Sequence, residues 1–158
     1  MKVYRIGVIG LGQRIAHVLC AMKEVGWNLN VAAYVDPGPV GAPILAEAGI
    51  DPGEACDSVA DLLARGPFDL VMIGSPNHLH LEHLNQALDA GWPVFAEKPI
   101  VRTEAETEAL ARRLARAGSP PLYIGLVMRS MSIVREVIAR AYLTPDRAWK
   151  LVVQPAGK

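Results

Sequence analysis

The stretch Tyr4-Arg5-Ile6-Gly7-Val8-Ile9-Gly10-Leu11-Gly12-Gln13-Arg14-Ile15-Ala16 joins a short β-type apolar run to a glycine turn and then to a helical pattern. That context raises a glycine motif above chance, because a strand, a tight turn and a helix N-terminus together build an anion site. Backbone N–H groups and the helix dipole converge there on a phosphate, and glycine leaves room for close approach. The pattern GxGxxG is met at Gly10 and Gly12, while its third position holds Ile15. That third glycine serves close packing of helix on strand, so Ile15 weakens the motif and leaves the phosphate turn intact.

Outward from this stretch, strands and helices alternate. Val3 to Ile9 is a first strand, and Gln13 to Val25 a helix with Ile15, Val18, Leu19 and Met22 at three- and four-residue spacing. Asn28 to Val35 is a second strand ending at Asp36, and Pro37-Gly38-Pro39 stops it because proline lacks a ladder donor. Helices are expected at Val40 to Ile50 and at Val59 to Arg65, with Asp51-Pro52-Gly53 as a turn between them. Asp69 to Gly74 is nearly continuously apolar, as in a strand buried on both faces of a parallel sheet.

His78 to Ala90 is helical, with Leu79, His83, Ala87 and Leu81, Leu84, Leu88 as candidate faces, and Pro93 to Ala96 is a fourth strand. Thr103-Glu104-Ala105-Glu106 is a capping box opening a helix to Ala117, and Leu122 to Val127 is another strand. Ser132 to Tyr142 has an amphipathic stripe, and Trp149 to Val153 is a last strand. The alternation predicts an α/β fold with a doubly wound parallel sheet. Ligands of such sheets sit outside the carboxyl ends of the strands. Three polar clusters fall at those ends: Gly10 to Arg14, Ser75 to His80, and Glu97-Lys98.

A chain of 158 residues is enough for one ordinary domain with a sizeable core. Sixteen basic residues balance sixteen acidic ones, so no global field favours nucleic acid or an anionic membrane, and any phosphate site is local. Cys20 and Cys56 lack zinc or redox spacing and are expected as small apolar core residues. Met1 leads straight into the first strand without a secretory leader, and no apolar run approaches the ~18 residues of a membrane span. The expectation is a cytoplasmic protein.

Asp36 lies about 24 residues after Gly12, close to the ~20-residue offset at which an acid accepts the adenine-ribose hydroxyls of NAD. A carboxylate there repels a 2′-phosphate, so NAD is favoured over NADP.

With these clusters in view, the chain resembles the Gfo/Idh/MocA family of NAD(P)-dependent sugar and polyol oxidoreductases. The matching segments are Gly10-Leu11-Gly12, Asp36, Ser75-Pro76-Asn77-His78-Leu79-His80, Val94-Phe95-Ala96-Glu97-Lys98-Pro99 and Gly125-Leu126-Val127-Met128-Arg129. The resemblance implies a cofactor-contacting set of Gly10, Leu11, Gly12, Gln13, Arg14, Ile15, Asp36, Ser75, Pro76, Asn77, His80, Glu97, Lys98 and Arg129. It implies that Glu97 and Lys98 sit at the nicotinamide ribose and that Lys98 is the catalytic residue facing a sugar-like substrate. Hydride transfer from an alcohol needs a group that accepts or orients the hydroxyl proton, while the cofactor does the redox work. Adjacent residues of an extended chain point to opposite sides, so Glu97 and Lys98 are not expected to pair with each other.

Family members resemble a chain about twice this length, whose second half binds substrate. On that basis residues 1–128 are expected to form the dinucleotide-binding domain, and 129–158 a helix and strand at the junction with an absent substrate domain. Alone, the chain is then expected to be inactive. The alternative is a non-catalytic NAD(P)-binding or scaffolding module. The resemblance leaves a homo-oligomer open.

Some residues carry plainer readings. His80 and His83 share a helix face, but no further ligand cluster supports a metal, so both are read as polar contacts at a helix start. His17 is read as a packing residue. Arg14 is left open between a solvated side chain and a pyrophosphate contact.

Overall fold

The computed structural model describes residues 2–125. Six parallel strands form one sheet in the order β3-β2-β1-β4-β5-β6. These are β1 (Tyr4–Ile9), β2 (Leu29–Val35), β3 (Glu54–Ala55), β4 (Leu70–Ile73), β5 (Val94–Ala96) and β6 (Leu122–Ile124). The helices between them are α1 (Gln13–Glu24), α2 (Ala42–Glu47), α3 (Val59–Ala64), α4 (His80–Asp89) and α5 (Glu104–Leu114). The strand order reverses between β1 and β4, which is the switch point where a doubly wound sheet opens a crevice.

Side-chain alternation splits the core into two layers. Ile6, Val8 and Met72 point toward Leu11, Ile15, Leu19 and Leu45 of the α1–α2 side. Ile9, Val71, Ile73, Val94 and Ala96 point the other way, toward Leu62, Leu84, Ala87, Leu88 and Leu110 of α3, α4 and α5. The two-residue period of a strand produces this division directly. In β2 it is interrupted: register slips between the Ile6–Val31 and Gly7–Ala33 pairs, so Val31 faces one layer and Ala33 the other.

Helix starts follow local chemistry. Ser58 caps α3 by accepting from the Asp61 amide at 3.1 Å. Thr103 and Glu106 form the expected capping box of α5. Several expected boundaries move inward: α2 is shorter than Val40 to Ile50, α5 ends at Leu114 and β6 at Ile124. A short 3₁₀ turn, Asn77–Leu79, precedes α4, whose buried residues are His80, Leu84, Ala87 and Leu88. The face expected to hold Leu79, His83 and Ala87 is therefore only partly right.

Strand β3 was not foreseen. Its two residues are exposed and too few to show a period, and pairing with Ala33 and Tyr34 alone makes them a strand. His17, expected to pack, is exposed on α1. The expected helix at Ser132 to Tyr142 and strand at Trp149 to Val153 lie outside the described residues.

Candidate functional site

Four main-chain hydrogen bonds bring the carboxyl ends of the strands level. Gly10 N donates to Val35 O (2.9 Å), Gly74 N to Ile9 O (2.8 Å), Glu97 N to Ile73 O (2.9 Å) and Gly125 N to Ala96 O (2.9 Å). Each amide lies just past the end of its own strand and is held by the last carbonyl of its neighbour. Residues far apart in sequence thereby form one rim.

At the β1 end of the rim, Gly10 has φ +83°, and a Cβ there would stand 2.3 Å from the Ser75 amide nitrogen. Only glycine fits this turn and this contact. Gly12 is different: a Cβ would meet nothing within 4 Å. Gly12 also caps α1 without a side-chain hydrogen bond, and the first turn carries no acidic residue. The start of a twelve-residue helix is thus left without a side-chain cap and with room beside Gly12, and its positive end fits a pyrophosphate.

The missing third glycine of the motif has a structural answer. Ile15 is fully buried. A Cβ on Gly74 would lie 2.3 Å from the Ile15 Cγ1, so the absence of a side chain at Gly74 makes room for the isoleucine. Close approach of helix and sheet is kept, with the small residue moved from α1 to the end of β4. The side chains of Leu11 and Ile15 belong to the core, whereas Gln13 is exposed.

Asp36 follows β2 directly, next to the carbonyl that holds Gly10. Its Oδ1 accepts from the Gly38 amide at 2.7 Å, and Oδ2 has no partner among the described residues. The loop after Asp36 closes onto the glycine turn, where Gly41 N donates to Leu11 O at 2.9 Å. A Cβ on Gly41 would stand 2.7 Å from Gly12 O. Asp36 and the glycine turn thus share one wall.

The β4–β5 end is built from side chains. Glu97, 7% exposed, reaches over Gly125 and accepts a hydrogen bond from Arg14 Nε at 3.1 Å. Arg14 is half exposed, so this ion pair crosses from α1 to the end of β5 at the groove mouth. Lys98 is exposed, and no hydrogen bond or ion pair holds its ammonium among the described residues. As expected, Glu97 and Lys98 do not pair with each other. A cis bond joins Lys98 to Pro99.

Ser75 is buried, while Pro76, Asn77 and His78 are exposed. Ser75 Oγ shares a hydrogen bond with His83 Nδ1 at 2.9 Å. His80 lies 2.5 Å from Ser75 O through Nε2 and 2.8 Å from Pro99 O through Nδ1. Burial pushes the His83 imidazole below its ordinary value; Glu82 opposes that shift and His80 adds to it. No group of three or more His, Cys, Asp or Glu able to hold a metal occurs among the described residues. Arg129 lies outside them.

Sequence reasoning missed Gly74 and Gly41 as site-shaping residues and His83 as a partner of Ser75, and it named Gly125 only as the start of a matching segment. In the structure Gly74 and Gly125 each follow a strand end directly, whereas the strands expected from sequence run through both.

An uncapped helix behind a glycine turn, an acid closing β2 and polar residues closing β4 and β5 define a dinucleotide-binding Rossmann domain. Residues 4–125 match the Gfo/Idh/MocA model described as an oxidoreductase family with an NAD-binding Rossmann fold. The chain belongs to that family. It is 26% identical over 129 residues to inositol 2-dehydrogenase of Corynebacterium glutamicum, covering 81% of this chain and 38% of that protein. It is 29% identical over 151 residues to D-glucoside 3-dehydrogenase of Escherichia coli, covering 91% and 43%. The WlbA dehydrogenase of Thermus thermophilus, solved with NAD and UDP-GlcNAcA, superposes with a TM-score of 0.69 at 26% identity, covering 89% and 47%. The chain thus spans less than half the length of these relatives. No helix among the described residues is long and apolar enough to cross a membrane.

Proposed function

We propose that this chain holds NAD in preference to NADP, as the cofactor-binding part of a dehydrogenase acting on a hydroxyl of a polyol or sugar-like substrate. The observation that carries the reading is the continuous rim from Asp36 through the open turn at Gly12 to Glu97 and Lys98. Uncapped amides of α1 bind the pyrophosphate, and Asp36 Oδ2, without a partner among the described residues, accepts from ribose hydroxyls while repelling a 2′-phosphate. Ser75 to Asn77 line the middle of the groove. Glu97, held by Arg14, and Lys98 stand at its far end, with Arg129 assigned there by resemblance alone.

When bound, the nicotinamide ring supplies the hydride chemistry. Lys98 is the residue that deals with the substrate proton: exposed, and without an ion-pair partner among the described residues, it stands where its Nζ can orient the substrate hydroxyl and accept the proton that leaves as the hydride departs. The named relatives act on inositol and glucosides, which supports a polyhydroxylated substrate. Residues 1–128 form the nucleotide-binding domain in this reading, and 129–158 lead toward a substrate-binding part.

Calorimetric titration with NAD and NADH tests the proposal. Binding that saturates below millimolar cofactor is expected, and absence of heat at millimolar concentration rejects it. Steady NADH production from polyols by the 158-residue chain alone is not expected, and observing it would refute the need for a further substrate-binding part.

A further inference from the structure

His80 is 2% exposed, and its two ring nitrogens both approach main-chain carbonyl oxygens. A carbonyl oxygen only accepts, and a neutral imidazole carries a single N–H. Contacts at 2.5 Å to Ser75 O and 2.8 Å to Pro99 O are both hydrogen bonds only if both nitrogens carry hydrogen. A bare nitrogen at either distance would set its lone pair against an oxygen lone pair inside the protein, where an unmade hydrogen bond is costly. Glu82 and His83 follow His80 on its own helix, the His83 imidazole feeling His80, and Glu97 and Lys98 precede in sequence the Pro99 whose carbonyl the ring meets.

We propose that His80 is an imidazolium clamp, donating at once to the segment after β4 and the segment after β5, and so fixing where Lys98 stands. Two charge-assisted hydrogen bonds offset much of the cost of burying its charge. The clamp has a second anchor: Ser75 also bonds His83 through its hydroxyl and packs its amide against Gly10. A line of contacts therefore runs from the phosphate turn at Gly10, through Ser75 and His80, to Pro99 beside Lys98. In this arrangement both ring nitrogens of His80 are taken up by main-chain carbonyls, so in place of the cofactor contact that the resemblance implies for it, His80 is a positioning residue. The inference rests on the reading of Lys98 and Ser75 to Asn77 as site residues.

The first test is a count of ring protons by long-range ¹H–¹⁵N NMR on the full chain labelled at histidine nitrogen. At neutral pH, His80 is expected to show both nitrogens protonated, and one bare nitrogen overturns the clamp whether or not NAD binds. The second test splits the two bonds. In His80→Gln the amide stands near the position of Nε2 and keeps Ser75; in His80→Asn it stands near Nδ1 and keeps Pro99. Amide shifts are expected to move at Lys98 and Ile100 in the glutamine variant, and at Gly74 and Asn77 in the asparagine variant.

Each variant is expected to weaken NADH binding about tenfold, equivalent to about 1.4 kcal/mol. Wild-type affinity in both rejects the positioning role. If the wild-type chain binds no NADH, the cofactor reading fails, and the proton count still decides the clamp. It decides equally if the variants do not fold.

Discussion

Between β1 and β2 the groove is made of backbone and empty space: two glycines, an uncapped helix end and one carboxylate whose second oxygen has no partner among the described residues. Between β4 and β5 it is made of side chains that hold one another, Glu97 on Arg14, His83 on Ser75, and His80 on two carbonyls. A phosphate needs only converging N–H groups and room, and a glycine turn supplies both from local sequence. A reacting hydroxyl needs a group aimed to within a fraction of an ångström, and that aim comes from packing between distant segments. The two ends meet where Gly10 presses on Ser75 and Ile15 fills the space above Gly74.

The sharpest way to break the backbone-built end is Gly10→Ala. It combines a left-handed φ with a Cβ 2.3 Å from Ser75 N. The expected loss is roughly 2–4 kcal/mol of stability, read from the urea midpoint, together with loss of NADH binding.

Next comes the seam between the halves. Gly74→Ala is expected to cost about 1–3 kcal/mol through overlap with Ile15. Ile15→Ala alone opens a cavity costing roughly 2–4 kcal/mol. The double variant should cost less than the sum by at least ~0.5 kcal/mol, and strict additivity in the double-mutant cycle would disprove the compensation.

Smaller in stability and specific to binding is Asp36→Ala. About a tenfold fall in NAD affinity with no fall for NADP is expected on titrating both cofactors. Equal effects on the two would remove Asp36 from the ribose site.

The smallest effect is a pH dependence at the β4–β5 end. The His83 value is lowered in the folded state, chiefly by burial, so the folded chain binds fewer protons than the unfolded one at this residue. Its contribution to stability is complete above the unfolded value of about 6.5 and is lost as pH falls below it. Urea midpoints measured across that range should decline less steeply in His83→Gln than in the wild type.

Much of the fold was legible because its signals are local. The apolar run Leu70 to Ile73, the capping box at Thr103 and Glu106, and the β-type apolar run of β1 each lie within one turn or one strand of chain. The glycine turn and Asp36 were legible for the same reason: one motif and one fixed offset place both. Strand β3 was not, since two exposed residues carry no period and owe their strand geometry to Ala33 and Tyr34. His17 was misread because an aromatic ring at a helical spacing says little about which way the helix is turned.

What followed from sequence was the identity of the parts: a glycine turn, an acid closing β2, and a lysine at a strand end. Folding settled which parts touch, because the parallel sheet brings Gly10, Gly74, Glu97 and Gly125 level and makes neighbours of residues separated by most of the chain. No local pattern could say that Arg14 would pair with Glu97, that Gly74 would stand in for the motif's missing glycine, or that His80 would face two carbonyls. Those relations depend on strand order and register, which are fixed only when distant apolar faces are buried together.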